Sequence, residues 1–347
     1  MHSPTPSPAL AMACAWQREL AHAITTLEEL ALALDLPVAS LAGGAAAAGQ
    51  FALRVPRGFV ARMRRGDPRD PLLLQVLPQA RELEAVPGFG PDPLAELSGM
   101  CQPGLLQKYR GRALLVTTGA CAVNCRYCFR REFPYAQASL TPQATDAALQ
   151  AVATDTGIGE VILSGGDPLS LGDRRLATLL AAIGRIPHIR RIRIHTRVPV
   201  VLPERVDGGL LGVLAQAPRP LVVVLHANHA QELDAAVAQA AAGLRGVCAT
   251  VLNQSVLLRG VNDSAPALIA LSERLFAAGV LPYYLHLLDP VRGAAHFRVG
   301  ERRARRIMGA VAAALPGYLV PRLARERPGM PAKEVLAPAL HNREEVT

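Results

Sequence analysis

From Ala113 onward the chain alternates short, β-branched apolar runs with longer Ala- and Leu-rich stretches in which apolar positions recur every three or four residues. Short runs of this kind fit strands buried on both faces, and the longer stretches fit amphipathic helices laid over them, the pattern of repeated βα units. Six units are predicted, with strands at Ala113–Thr118, Glu160–Ser164, Arg191–Thr196, Leu221–His226, Cys248–Val256 and Tyr283–Leu288. The accompanying helices are predicted near Pro142–Thr154, Asp173–Gly184, Glu204–Gln216, Ala230–Gly243, Ser264–Ala278 and Glu301–Leu315. Six parallel units make an open, partial (β/α)6 barrel of the TIM type, so the expected fold class is α/β.

The two ends lack this rhythm. Residues 1–100 carry helical periodicity over Trp16–Leu34, an Ala/Gly-rich stretch at Gly43–Gly49 and a proline-dense region from Asp67, and are expected to form an N-terminal helical extension. Residues 101–315 hold the barrel core, and residues 316–347 form a tail of little periodicity that carries Lys333. No apolar run approaches the roughly 18 to 20 residues of a membrane span, so no membrane association is expected. Met1–Leu10 is polar and Pro-rich, without the basic start and apolar middle of a secretory leader, which makes the cytoplasm the expected location.

Composition changes this picture little, except in two residue types. The net charge of +9 is spread along the chain and only 4% of residues are aromatic, so the basic, aromatic-studded surface of a nucleic-acid binder is not expected. Of the 37 basic residues only Lys108 and Lys333 are lysines, so chemistry that needs a primary side-chain amine has two candidates. Of the six cysteines, Cys121, Cys125 and Cys128 lie within eight residues and the others are scattered, which suits a metal site in a reducing compartment better than a disulfide framework.

Cys121-x3-Cys125-x2-Cys128 supplies three soft thiolates in one loop, suited to iron–sulfur or zinc. A closed zinc site needs a fourth Cys or His, usually from a second close pair, and the sequence has no such pair. A cubane held by three cysteines leaves one iron open for a ligand. The loop follows the first predicted strand, and other unusual motifs end later strands: Gly165-Gly166-Asp167-Pro168, His195-Thr196-Arg197, His226-Ala227-Asn228-His229, Asn253-Gln254 and Asp289. Since active groups of parallel barrels gather at the C-terminal ends of strands, these motifs are expected to share one mouth.

CxxxCxxC with Tyr127 before its last cysteine, followed by the Gly-Gly-Asp-Pro turn, resembles the radical S-adenosylmethionine superfamily. Over nearly the whole chain the sequence is similar to the lysine 2,3-aminomutase family, through Phe51-Ala-Leu-Arg-Val-Pro, Lys108-Tyr109, Cys125-Arg-Tyr-Cys-Phe-Arg-Arg131, Asn253-Gln-Ser-Val-Leu-Leu-Arg-Gly and Tyr283-Tyr-Leu-His286. The run to Tyr135 and Gly293-Ala-Ala-His-Phe297 resemble the bacterial branch that makes β-lysine for elongation factor P. The resemblance implies conversion of L-α-lysine to (R)-β-lysine with a 4Fe-4S cluster on Cys121, Cys125 and Cys128, S-adenosylmethionine and pyridoxal 5′-phosphate. It implies S-adenosylmethionine contacts from Gly165, Gly166, Asp167, Pro168 and His226, a Schiff-base link at Lys333, and phosphate contacts from Lys108, Tyr109 and Arg112. Asn253 and Gln254 are implied to reach the pyridoxal cofactor, Arg130 the substrate carboxylate and Asp289 its distal ammonium.

The family's second ammonium-binding aspartate has no clear counterpart, and Glu326 stands at about its distance from the lysine. The implied partners are lysine, an electron donor such as flavodoxin or ferredoxin, and elongation factor P with its ligase; nucleic acid is not expected, and a homo-oligomer is left open. Two other functions are weighed: an aminomutase for another amino acid such as glutamate, and a zinc-stabilised nucleic-acid-binding module.

Overall fold

The computed structural model describes residues 14–138 and 140–340; the N-terminal stretch on which the leader reading rested, and the last seven residues of the tail, lie outside them. Among the described residues ten strands form one sheet in which chain order and spatial order coincide. They are β1 (Met100–Gln102), β2 (Leu105–Leu106), β3 (Arg112–Val116), β4 (Glu160–Ser164), β5 (Arg191–Thr196), β6 (Leu221–His226), β7 (Thr250–Leu257), β8 (Leu281–Leu287), β9 (Arg322–Arg325) and β10 (Glu334–Val335). Pairing is parallel from β3 through β9 and antiparallel at the two margins. The six predicted strands are β3 to β8, three of them with the predicted bounds.

The parallel strands read as near-continuous apolar runs because both faces are covered. All five residues of β4 are buried, as are Val223, Val224 and Leu225 of β6. The longer helices are α1 (Ala15–Ala21), α2 (Leu27–Ala33), α3 (Pro142–Thr154), α4 (Asp173–Gly184), α5 (Gly208–Ala215), α6 (Ala235–Val247), α7 (Ala265–Ala277) and α8 (Glu301–Ala314). Helix starts follow side-chain caps. Thr141 accepts from the N–H of Ala144 at 3.1 Å, Asp207 from Leu210 at 2.9 Å and Asp234 from Val237 at 2.9 Å.

Those caps explain two shortened helices. The stretch predicted from Glu204 begins at Gly208, because Pro203–Arg205 forms a separate 3-10 turn before the Asp207 cap. The one predicted from Ala230 begins at Ala235, after a 3-10 turn and the Asp234 cap. The helical segments expected over Trp16–Leu34 are α1 and α2, parted where Ile24 leaves helical pairing to exchange backbone hydrogen bonds with Val55 at 2.8 and 3.0 Å, and Thr26 then caps α2. The tail is more ordered than expected. Its β9 extends the parallel sheet, and Leu323 and Leu336 join Leu285, Met308 and Val311 in an apolar cluster at that edge.

Residues 14–100 pack onto the barrel instead of enclosing a core of their own: Trp16, Ile24 and Leu30 belong to one apolar cluster with Leu115, Leu163 and Ile192. A buried ion cluster ties them to the cysteine loop. The Glu82 carboxylate takes hydrogen bonds from Arg126 (2.6, 2.9 and 3.2 Å) and Arg131 (2.7 Å), and all three side chains are at most 4% exposed. Removing one member of such a cluster strands the others without water. Glu82→Ala is therefore expected to destabilise the fold by about 3–5 kcal/mol in denaturant unfolding; a loss below about 1 kcal/mol would show that the cluster does not hold the loop. Among the described residues no helix is long and apolar enough to cross a membrane.

Candidate active site

The C-terminal ends of β3 to β8 open onto a cavity of about 400 Å³, whose wall brings together Cys121, Cys125, Cys128, Arg130, Asp289 and Lys333. Tyr109, Arg112, Lys108, Gly165, Gly166 and Asp167 also line it, as do His226 and Gln254. Residues from both ends of the sequence thus meet in one place because the sheet curls and the tail strand β9 returns beside β8.

The cysteine loop is held by backbone as well as by ions. Cys128 N–H donates to Cys125 C=O at 3.0 Å, Arg126 N–H to Gln75 C=O at 2.9 Å and Asn124 N–H to Arg54 C=O at 3.0 Å. All three cysteines are free. Among the described residues no three Cys, His, Asp or Glu side chains close around a single ion, whereas three thiols spaced along a cavity wall suit a cluster that takes each at a different iron. Burial pushes the Cys128 thiol up to about 11 and the Cys121 thiol up as well, so loading metal must displace protons from them.

The glycine turn after β4 serves the loop more than the cavity. Gly165 has φ +120°, and a Cβ there would stand 2.6 Å from the Thr118 carbonyl oxygen; one at Gly166 would stand 2.4 Å from that of Ala120. Glycine at both lets the turn dock on the cysteine loop, with Gly166 N–H on Thr118 C=O at 2.6 Å. The Asp167 carboxylate is fully engaged, accepting from Thr196 Oγ1 and Arg197 N–H, both at 2.6 Å, Leu169 N–H at 3.0 Å and Val198 N–H at 3.1 Å. It fastens the turn to the end of β5, while Asp167 stays on the cavity wall with Gly165 and Gly166. Pro168 is buried at the start of a 3-10 turn and is absent from the cavity wall.

Asn253 also lies outside the cavity wall. Successive strand residues face opposite ways, so Asn253 and Gln254 cannot share the mouth. Gln254 takes it, while Asn253 bonds the N–H and C=O of Ala227 at 2.8 and 3.1 Å and Ser255 Oγ at 3.0 Å. His226 lies against Tyr127, its Nε2 2.9 Å from the phenol oxygen.

A chain of alternating charges crosses the cavity wall. Lys333 contacts Glu326, Glu326 lies 3.4 Å from Lys108, and Lys108 lies 2.8 Å from Glu96. Glu96 grips Arg130 with both oxygens, at 2.6 and 2.9 Å, while Arg130 Nη1 donates to Ser164 Oγ at 2.9 Å. Glu96 had no motif to mark it and escaped the sequence reading. Despite its burial, the adjoining Arg130 and Lys108 hold its carboxyl down at about 2. The Arg130 fork, expected to be open for a substrate carboxylate, is thus already occupied by one from the protein.

Burial, with Lys108, Arg193 and Arg112 nearby, lowers the Lys333 ammonium to about 7 against the pull of Asp289; the touching Glu326 carboxylate opposes that lowering while it is charged. Burial raises Asp289 to about 6, with Lys333 and Lys108 holding it back. His286, pushed down to about 3 by burial and Lys333, is a neutral imidazole on the same wall. His195, also on the wall, is lowered by burial and Arg193, and its Nε2 is buried without a hydrogen-bond partner among the described residues. The Arg112 guanidinium stacks 5.0 Å from the Tyr109 ring centre.

Residues 115–268 match the family model described as the radical SAM superfamily. The protein called L-lysine 2,3-aminomutase in Escherichia coli is 49% identical over 322 residues, covering 92% of this chain and 94% of that protein. The protein of the same name in Haemophilus influenzae is 45% identical, covering 93% and 95%. The one in Clostridium subterminale is 32% identical, covering 93% of this chain and 78% of that protein.

Proposed function

Because the chain belongs to the L-lysine 2,3-aminomutase family of radical S-adenosylmethionine enzymes, we propose that it converts L-α-lysine to (R)-β-lysine with pyridoxal phosphate bound at Lys333. The chain is an isomerase working with a 4Fe-4S cluster and S-adenosylmethionine. The observation that carries the finer reading is that Lys333, with two carboxylates beside it, faces the same cavity as the three cysteines.

The residues fit such a set of cofactors. Three free cysteines on one wall offer the cluster its ligands and leave one iron for S-adenosylmethionine. Lys333 has an amine that is partly neutral near pH 7, which a carbonyl cofactor requires of its attachment lysine. Lys108, the other lysine, is held between Glu96 and Glu326 and is left to neutralise charge, with Arg112 and Tyr109, where a phosphate would lie. Pyridoxal phosphate supplies an electron-accepting ring on which an amino group can migrate between adjacent carbons, and the cluster with S-adenosylmethionine supplies the carbon radical that an unactivated C–H bond demands.

The remaining side chains bind and orient. Arg130 is fixed by Glu96 and Ser164 so that its guanidinium faces the cavity; to pair with a substrate carboxylate it exchanges part of that grip. Asp289, on the cavity wall, is the carboxylate left for a substrate's distal ammonium, since Glu326 is already paired with Lys333 and Lys108. Gln254 and His226 line the same cavity. The likeness of the Cys125–Tyr135 run and Gly293–Phe297 to the elongation factor P branch supports delivery of the product to that factor through a separate ligase. A low-potential electron donor and a reducing, cytoplasmic setting suit the cluster.

Only the neutral amine attacks a carbonyl, so pyridoxal phosphate incorporation into cofactor-free protein is expected to accelerate as pH rises through about 7. Stopped-flow absorbance against pH measures it; a rate flat across that range would place the Lys333 amine elsewhere on the scale. The substrate reading is tested by anaerobic incubation of reconstituted enzyme with lysine, glutamate and other amino acids, separating α from β products. β-Lysine from lysine alone is expected, and a β-product from glutamate but not lysine would reverse the assignment.

A further inference from the structure

A buried arginine that the catalytic reading leaves unused points at one of the cluster cysteines. Arg197, 7% exposed at the end of β5, donates from Nη1 to Cys125 Sγ at 2.7 Å. The same nitrogen contacts the Tyr127 hydroxyl, and Nη2 donates to Gln75 Oε1 at 2.7 Å and Glu232 Oε2 at 3.1 Å. Its guanidinium also lies against the rings of Phe59 and Tyr127, 5.6 and 5.5 Å from their centres.

Little freedom is left to that side chain. The backbone N–H of Arg197 is bonded to Asp167, so the Gly-Gly-Asp turn that docks on the cysteine loop also fixes the residue reaching across to it. The three cysteines are treated unequally. Among the described residues Cys125 alone of the three receives a charged side-chain N–H, whereas Cys128 has only the backbone N–H of Arg130.

We propose that Arg197 is a positioning residue for the cluster's electron chemistry, raising its reduction potential through a charge-assisted hydrogen bond to the Cys125 sulfur. Reduction moves one electron from a low-potential donor protein onto the cluster; an iron is reduced, the donor is oxidised, and the cluster gains one negative charge. A fixed N–H donor aimed at a ligand sulfur stabilises that added charge, and hydrogen bonds to cluster sulfurs are among the determinants of such potentials. Glu232, paired with the far side of the guanidinium, offsets part of its charge and is therefore expected to act with the opposite sign.

The inference rests on Cys125 being a cluster ligand, which iron and sulfide content of Cys125→Ala tests separately. Potentials are measured by anaerobic redox titration followed by electron paramagnetic resonance, in proteins of matched iron content. In Arg197→Met the ratio of reduced to oxidised cluster at a fixed ambient potential is expected to fall at least tenfold, a downward shift of about 59 mV for one electron. Arg197→Lys should fall between the two. Glu232→Gln, which keeps the shape of the side chain, should raise the ratio at least threefold. An Arg197→Met cluster with the wild-type potential overturns the proposal, as does an unchanged or lowered potential in Glu232→Gln. If Arg197→Met does not hold its cluster, the Glu232→Gln result decides alone. If Cys125→Ala keeps a full cluster at the wild-type potential, the ligand assignment fails first.

Discussion

Replacing Lys333 by alanine is expected to abolish the absorbance of lysine-bound pyridoxal phosphate and to cut β-lysine formation at least about a thousandfold, while iron and sulfide content stay at wild-type values. The separation of effects follows from the geometry. Lys333 enters the cavity from the tail between β9 and β10, whereas the cysteine loop is pinned by Glu82, Gln75 and the glycine turn on the far side. Lys333 sits among Glu326, Asp289 and Lys108, so its loss leaves Glu326 to Lys108 alone and removes no direct contact with the cysteines. Ultraviolet–visible spectra, metal analysis and product chromatography on one preparation check all three readouts. Retained cofactor absorbance would transfer the attachment to Lys108.

Cys121→Ala is expected to give the complementary loss. One thiolate of three is gone, the cluster is no longer held, and reductive cleavage of S-adenosylmethionine falls below detection with β-lysine production. The pyridoxal absorbance should survive, because the Lys333 end shares no hydrogen bond with Cys121. Stability of the cluster-free fold should change little, since Cys121 belongs to neither the apolar core nor the Glu82 ion cluster. Full iron and sulfide retention in this variant would remove Cys121 from the ligand set.

Much of this was legible from the chain because the parallel strands are buried on both faces. Their unbroken, β-branched apolar runs, such as Leu221–His226, fit strands buried on both faces, and the cysteine loop and the motifs at strand ends then gather at one mouth by topology. What escaped notice lies where structure depends on partners distant in sequence. Glu96 sits in a loop without periodicity, and only the fold brings it against Arg130 and Lys108. The strands β9 and β10 are short and carry Arg322, Arg325 and Glu334, so their alternation is too brief to register. The shortened helices α5 and α6 were recoverable, since Asp207 and Asp234 are ordinary capping residues that the apolar periodicity overran.

Two residues show how a motif's side chains can be spent on bonds within the protein. Asp167 belongs to a turn that faces the cavity, yet four hydrogen bonds spend its carboxylate on Leu169 and the end of β5. Asn253 precedes a residue that faces the cavity and so must face away. In both cases a local backbone rule, a turn capped by its own aspartate and the two-residue repeat of a strand, sets what the side chain bonds. Arg197 is the reverse: a strand-end residue read only as part of a motif, which the fold delivers to the Cys125 sulfur.

The most direct measurement is anaerobic turnover of lysine deuterated at carbon 3, with S-adenosylmethionine, pyridoxal phosphate and a one-electron reductant, followed by mass spectrometry and NMR of the product. The account predicts β-lysine that carries deuterium at carbon 2, with label also appearing in 5′-deoxyadenosine. Formation of no β-lysine, or of β-lysine whose label has been lost to solvent, would contradict it.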